Sequence, residues 1–275
     1  MLDRGIILIA TGHANYAKMA YNLAVTIKAV EGVQIAVIHD GLPHLSDEQK
    51  SIFDFTIELP VDYQTGFGAK LHLDELTPFK KTLFLDVDML WLGWNPSRIF
   101  DELAGVGFTA ITEGHSDAIN YKYYFWADPE EIKTAYKVAK VWQFRSEVMY
   151  FETGTKIFKK ARELRPERKL KSVRKFGELI PDELYFNIAA AVLNIDPHVP
   201  NWMPAYWPRM HDEVIPTLKS LYSSHYLLSF GSNTVSPGMK KIYDNVMQVA
   251  AYKLGIPYLY KLKSKKEWAP GRLKI

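Results

Sequence analysis

Apolar residues in this chain come in short unbroken runs, and between them lie stretches where they recur every three or four positions. Arg4–Thr11 is one such run and reads as a buried strand, closed by Thr11-Gly12. A helix is predicted from Asn15, read as its cap, to about Val30. Ala17, Ala20, Leu23, Ala24, Ile27 and Val30 fall on one face of it. Val33–His39 is a second β-branched run, and Phe55–Leu59 a short third one. Ser46 with Gln49 has the spacing of a capping box. A helix over 67–76 stops near Pro78, and Thr82–Leu85 follows as a fourth strand. Val106–Ile111 and Val148–Phe151 read as further strands, with helices near 129–140 and 155–164. Asp182–Leu193 is a strongly apolar helix entered through Pro181. A late strand over 225–231 and a helix from Pro237 to Leu254 complete the pattern.

Strand alternating with helix predicts an α/β fold built on a mainly parallel central sheet flanked by helices. In such sheets ligands bind beyond the carboxyl ends of the strands, which directs attention to Thr11, Asp86 and Thr112. No repeat or low-complexity linker divides the chain. Residues 1–195 are read as the core domain. Residues 196–275 are read as a C-terminal part that closes over it, entered through the Pro- and aromatic-rich stretch 196–216.

Composition narrows the chemistry. The 275 residues include no cysteine, which excludes disulfide scaffolds, thiolate zinc sites and thiol nucleophiles. No apolar run reaches the ~18 residues of a membrane span, and residues 1–30 lack a signal-peptide pattern. A soluble, cytoplasmic protein is the expectation. The net charge of +3 is unevenly spread. Segment 156–175 holds ten Lys/Arg against two Glu, so +8, and the tail 254–275 holds six against one, so +5. The remainder therefore carries −10. Basic stretches on an acidic body suit an anionic partner, and equally a solvated surface.

The sharpest local feature is Phe84-Leu85-Asp86-Val87-Asp88-Met89-Leu90. Two acids one residue apart at the end of a buried strand stand on the same side. Like charges that close need a cation, a shared proton or water. Turn chemistry is the plainer alternative, but the apolar residues on both sides favour a metal pair. Mg²⁺ and Mn²⁺ take carboxylate oxygens and bind substrate phosphates. Neither G-x-x-x-x-G-K-[ST] nor G-x-G-x-x-G occurs, so phosphate charge would have to be met by metal and basic side chains.

In this respect the sequence resembles the GT-A-fold glycosyltransferases, and among them the glycogenin-like family 8 enzymes. Ala10-Thr11 followed by Tyr16-Ala17-Lys18 is similar to that family's nucleotide-binding start. Lys70-Leu71-His72 resembles its K-L-H helix, and Asp86-Val87-Asp88 its D-x-D. Asp182-Glu183-Leu184-Tyr185-Phe186-Asn187 resembles its D-Q-x-x-L-N helix. Order and spacing agree over roughly residues 5–231. Glu152-Thr153-Gly154 stands where the family has N-S-G, and His225 with Phe230-Gly231 is the nearest counterpart of its H-F-x-G.

The resemblance implies a metal-dependent transferase that moves a sugar from a nucleotide-sugar, a UDP-sugar first, to an acceptor left open. It also implies retention at the anomeric carbon. Asp86 and Asp88 would hold Mn²⁺ or Mg²⁺, with His225 preferred over His211 as third ligand. Ala10, Thr11, Tyr16, Lys70, Asp86 and Gly231 would bind the nucleotide-sugar. Asp182, Glu183 and Glu113 are the catalytic candidates. Each has a plainer reading as well: Tyr16 as helix packing, Lys70 as a solvated side chain, Asp182 and Glu183 as helix N-terminal charges. Trp202, Tyr206 and Trp207 would cover the site or pack the core. The acceptor could be anionic: a glycan, a protein or a nucleic acid. Two other readings stay open. A HAD-type phosphatase also carries D-x-D after an apolar strand, and a non-catalytic sugar- or nucleic-acid-binding module could use the basic segments.

Overall fold

The computed structural model describes all residues except 31, 43–44, 64–65, 116–124, 176, 199–204, 207–216, 231–233, 236 and 265–275. The strands are β1 (Leu2–Ala10), β2 (Ile35–His39), β3 (Phe55–Glu58), β4 (Phe79–Leu85), β5 (Met89–Trp91), β6 (Phe108–His115), β7 (Trp142–Glu152), β8 (Ala205–Tyr206), β9 (Leu227–Ser229), β10 (Thr234–Val235) and β11 (Lys263–Ser264). The helices are α1 (Ala14–Lys28), α2 (Asp47–Lys50), α3 (Leu73–Leu76), α4 (Pro96–Glu102), α5 (Pro129–Tyr136), α6 (Ile157–Glu163), α7 (Pro166–Lys169), α8 (Asp182–Leu193), α9 (Leu218–Ser224) and α10 (Pro237–Leu254). A 3₁₀ helix over Gly66–His72 precedes α3.

The central sheet has the order β3-β2-β1-β4-β7-β6. β3, β2, β1 and β4 are parallel neighbours, while β7 runs antiparallel to both β4 and β6. Helices cover both faces, which is why Ile6, Ile7, Leu8, Leu83, Phe84 and Leu85 are buried without alternation. Gly5 admits no side chain: a Cβ there would lie 2.3 Å from the Phe79 ring.

The C-terminal part returns to the first half of the chain. β9 pairs antiparallel with β5 directly after the two acids, Met89 opposite Ser229 and Trp91 opposite Leu227. α10 packs on α1 in one apolar cluster that includes Leu23, Ile27, Met239 and Val246. Buried Asn22 of α1 ties this arrangement down. Its amide donates to the Tyr243 hydroxyl (2.6 Å) and the Tyr260 carbonyl (2.9 Å), and its oxygen accepts from the Leu259 N–H (2.9 Å).

Several local expectations hold. Ser46 and Gln49 make both bonds of the capping box. α8 and α10 have the bounds read from the sequence. α1, however, is capped by the imidazole of His13, which accepts from the Asn15 N–H, so Asn15 is not the cap. The 67–76 helix splits, its first half tightening to 3₁₀. β7 begins at Trp142, six residues before the predicted start.

Candidate active site

The parallel strands deliver their carboxyl ends to one edge. β1 ends at Ala10, and the chain turns at Gly12, whose φ of +86° suits glycine. The Gly12 N–H donates to the Asp40 carboxylate just after β2 (2.7 Å). This turn carries Thr11 and launches α1 with Tyr16 in its first turn, 40% exposed. β4 ends at Leu85. The Asp86 N–H donates to the Glu147 carbonyl of β7 (2.8 Å), and the Asp88 carbonyl accepts from the Phe230 N–H (2.9 Å). Both acids are thus fixed by backbone bonds to neighbouring strands rather than left on a loop.

The 3₁₀ helix runs across the end of β4 and inserts Lys70. Its ammonium lies 2.8 and 2.9 Å from the two carboxylate oxygens of Asp86, 3.4 Å from the Ser146 carbonyl and 3.7 Å from Asp182. The Lys70 side chain is 16% exposed and the Asp182 side chain 6%. Burial works against the charged ammonium, but Asp182, Asp86 and Glu147 outweigh it and push the Lys70 pKa up. Burial pushes Asp86 up to about 8 despite Lys70, with Asp88 and Glu147 adding to the rise. Asp88 is pushed up to about 6, by burial first and then by Glu147.

α8 aims its first turn at the same place. Pro181, its cap residue, supplies no side-chain bond, and Asp182 and Glu183 are 5% and 7% exposed. Arg145 on β7 stands 4.0 Å from Glu183 and 3.8 Å from Glu147. Among the described residues Asp182 Oδ2, Asn187 Nδ2 and both amide atoms of fully buried Gln143 form no hydrogen bond. Such atoms are rare in a folded protein, and here they gather on the facing parts of α8 and β7.

Two cavities share this wall. One of about 270 Å³ is lined by Ile9, Thr11, Tyr16, Ala69, Lys70, Asp86, Val87 and Asp88. A second of about 620 Å³ lies on the other side of the 3₁₀ helix and reaches Asp182. Gly68, Leu71 and His72 face the larger cavity, Ala69 and Lys70 the smaller, so this helix partitions them.

The structure therefore brings together Thr11, Tyr16, Lys70, Asp86, Asp88, Asp182 and Glu183, with Ala10 buried at the end of β1. Glu113 lies on the β6 extension beside the start of β7; its side chain is outside the described residues. Gly231, His211, Trp202 and Trp207 also lie outside them, as does the Tyr206 side chain. His225 is not brought to the acids. β5 and β9 run antiparallel with Ser229 at the Asp88 end, so His225 follows α9 at the opposite end of the pairing. Four residues of extended chain separate it from Ser229 by about 13 Å. Glu152-Thr153-Gly154 is likewise at the wrong end of the sheet: Glu152 pairs with Lys81, and Thr153 bonds to Lys80. The β7 residues that stand at the site are Arg145, Ser146 and Glu147, which the sequence reading missed. The alternation of Gln143, Arg145 and Glu147 was the signal for them.

Five carboxylates, on Asp86, Asp88, Glu147, Asp182 and Glu183, surround two cations, Lys70 and Arg145. That excess, and the raised protonation of both aspartates, fit a divalent ion at Asp86 and Asp88. Among the described residues no third His, Asp or Glu completes a protein-only metal site.

No family model and no curated protein matches this sequence. Solved structures do match in fold. The galactosyltransferase LgtC, in complex with donor and acceptor sugar analogues, aligns over 90% of this chain and 95% of its own, with a TM-score of 0.55 and 16% identity. The bifunctional glycosyltransferase WbbM aligns over 92% of this chain with a TM-score of 0.59 and 13% identity, and this chain spans 51% of it. Mouse xyloside xylosyltransferase 1 aligns over 84% of this chain and 99% of its own, with a TM-score of 0.51 and 12% identity. The fold is the GT-A fold, as the resemblance implied.

Proposed function

We propose that the protein is a divalent-metal-dependent glycosyltransferase that uses a nucleotide-sugar, a UDP-sugar first. The observation that carries this reading is the convergence in one cavity of Thr11, Tyr16, Lys70, Asp86 and Asp88 at the carboxyl ends of β1 and β4. The GT-A fold, shared with several glycosyltransferases, supports it. A bound Mn²⁺ or Mg²⁺ would neutralise the diphosphate and make it a better leaving group.

The protein's own groups divide the remaining work. Tyr16 and the backbone at Ala10-Thr11 receive the base. Lys70, held by Asp86 and Asp182, presents a fixed positive charge beside the phosphates. Asp182 orients a hydroxyl of the sugar from the far side of the same ammonium. Retention follows if the acceptor oxygen attacks the anomeric carbon on the face the diphosphate leaves. The new C–O bond then forms as the old one breaks, and the acceptor proton passes to the departing phosphate oxygen. Arg145, through Glu183 and Glu147, keeps the acidic wall in register.

A panel of nucleotide-sugars with Mn²⁺, scored by nucleotide diphosphate release, tests the assignment. Release from one donor, abolished by EDTA, is the expected outcome; no release from any donor, with no nucleotide-dependent rise in Tm, overturns it. Tyr16→Ala is expected to raise donor KM about ten-fold with little change in kcat, because stacking holds ground and transition states alike. A collapse of kcat at constant KM would remove Tyr16 from base binding. Among the described residues no helix is long and apolar enough to cross a membrane.

A further inference from the structure

Helix α10 buries one side against α1 through Met239, Ile242, Tyr243, Val246 and Met247. Its outer side is exposed at Lys241, Gln248, Val249, Tyr252 and Lys253. The spacings 241, 248 and 252 put Lys241, Gln248 and Tyr252 on one line along the helix. Tyr252 is 89% exposed and Val249 50%. Among the described residues Tyr252 is the most exposed large hydrophobic side chain. Beside it a recess of about 120 Å³ opens between α1, α9 and α10, lined by Ala29, Val30, Tyr222, Val249, Ala250 and Lys253. An apolar hollow and two exposed apolar side chains thus stand next to a lysine.

The chain after α10 is strapped back along α1. The Tyr21 hydroxyl donates to the Pro257 carbonyl (3.0 Å), and Asn22 holds Leu259 and Tyr260. Lys261 is left exposed, and Lys263 lies beside Thr234. Residues 237–275 hold nine Lys/Arg against Asp244 and Glu267, so +7, which leaves −4 on residues 1–236. Asp244 is taken up by Lys240. Among the described residues Lys241, Lys253 and Lys261 make no ion pair. Glu48 of α2 faces the strap near Tyr21. Glu31, which follows α1 in the sequence, lies outside the described residues, as do Lys265, Lys266, Glu267, Trp268, Arg272 and Lys274. With Glu31, Glu48 and Glu267 all counted, the unpaired cations of this side still outnumber its acids. Cations alone would suit any polyanion, and Tyr252 alone could stack on a base. Val249 and the recess gain nothing from a phosphate backbone in water. They gain where water gives way to an apolar phase.

We propose that the outer side of α10, with the basic residues that follow it, docks on an anionic phospholipid surface. Lys241, Lys253 and Lys261 meet the headgroup phosphates, and Tyr252 and Val249 enter the boundary between headgroups and acyl chains. The protein then lies on the bilayer without spanning it. This surface goes beyond the glycosyltransferase reading and stands without it.

Co-sedimentation of the full chain with vesicles tests it. The probes are phosphatidylcholine vesicles, the same vesicles with about 30% phosphatidylglycerol, and a deoxythymidine oligomer. The chain is expected to sediment with the anionic vesicles and to stay in solution with the neutral ones. Binding should weaken as salt rises, because the cations are exposed. A lysine at an anionic surface contributes about five-fold, so Lys241→Gln with Lys253→Gln and Lys261→Gln should lower partition on the order of a hundred-fold. Val249→Ser with Tyr252→Ser should also weaken it, with the salt dependence unchanged. All five side chains are exposed, so each variant should keep the Tm of the wild type and its response to UDP and Mn²⁺. No binding to anionic vesicles, equal binding to neutral ones, or either variant binding like the wild type would overturn the proposal. Binding of the deoxythymidine oligomer in place of vesicles, lost in the lysine variant, would transfer the surface to nucleic acid and overturn it too. Failure of UDP to stabilise the wild type would count against the donor site, while the vesicle measurements still report on this surface.

Discussion

Asp88→Ala is expected to lose two to three orders of magnitude in kcat/KM while its Tm at neutral pH stays level or rises. The two halves have different causes. Stabilising a departing diphosphate by a positioned charge contributes several kcal/mol in the transition state, about 10²–10³ in rate. One carboxylate on Asp86, already gripped by Lys70 at 2.8 and 2.9 Å, would hold a hydrated ion poorly. Stability runs the other way. The folded pKa of Asp88 is about 6, above the ~3.9 of an unfolded aspartate. A carboxyl raised in this way subtracts stability as pH climbs from the unfolded value through the folded one, and all of that subtraction is in force at pH 7. Removing the carboxyl removes it. Mn²⁺ should raise the wild-type Tm and leave the variant's unchanged. His225→Ala is the control and should keep the metal requirement of the wild type, since His225 sits at the other end of β9. Activity that survives Asp88→Ala, or EDTA, would sink the metal assignment.

The parts of the site legible in the sequence were those where a local rule has a visible signature. An apolar run that ends in Asp86-Val87-Asp88 announces itself, because buried strands do not tolerate adjacent acids without a counter-charge. The Ser46/Gln49 box and the helix starts at Asp182 and Pro237 were equally plain. What stayed hidden depended on pairing between distant segments. Arg145, Ser146 and Glu147 fell before the strand predicted from Val148, because β7 outruns β4 at its amino end and pairs there with β6 alone, across register shifts at Ala110/Ile111 and Thr112/His115. Glu152-Thr153-Gly154, which replaces the family's N-S-G, lies at the opposite edge, where antiparallel pairing with β4 carries it. His225 failed for the same reason: a strand start reaches the ligand edge only if the strand runs away from that edge, as β7 does, whereas β9 runs from His225 toward Asp88 and brings its end there. Direction, which hydrophobic period does not encode, decided all three.

Lys70→Met is expected to be the most damaging single change at the site, and its cost should depend on pH. The ammonium stands between Asp86 and Asp182, whose side chains are 25% and 6% exposed. Removing one partner from a buried ion cluster costs about 3–5 kcal/mol, because the remaining charge is left uncompensated. Methionine keeps most of the aliphatic stem and removes the ammonium, which stands 5.3 Å from the centre of the Phe84 ring, so the loss is mainly one of charge. Asp86 can escape by protonation. Its pKa, already pushed up to about 8 with Lys70 present, rises further without it. Below about pH 8 Asp86 stays protonated in both folded proteins and its cost is common to them; above it the wild-type carboxyl ionises against Lys70 while the variant's cannot. The Asp86 part of the Tm deficit of Lys70→Met should therefore be small up to about pH 7 and grow as pH climbs through 8 to about 9. Mn²⁺ should recover part of it at about pH 9, by supplying the missing positive charge, and little at about pH 5, where protons hold Asp86 and Asp88. Thermal melts of both proteins at several pH values, with and without Mn²⁺, measure this directly. A deficit that stays the same from about pH 6 to about pH 9 would mean that Lys70 acts through its stem rather than its charge, and the charge network would lose its place at the centre of the site.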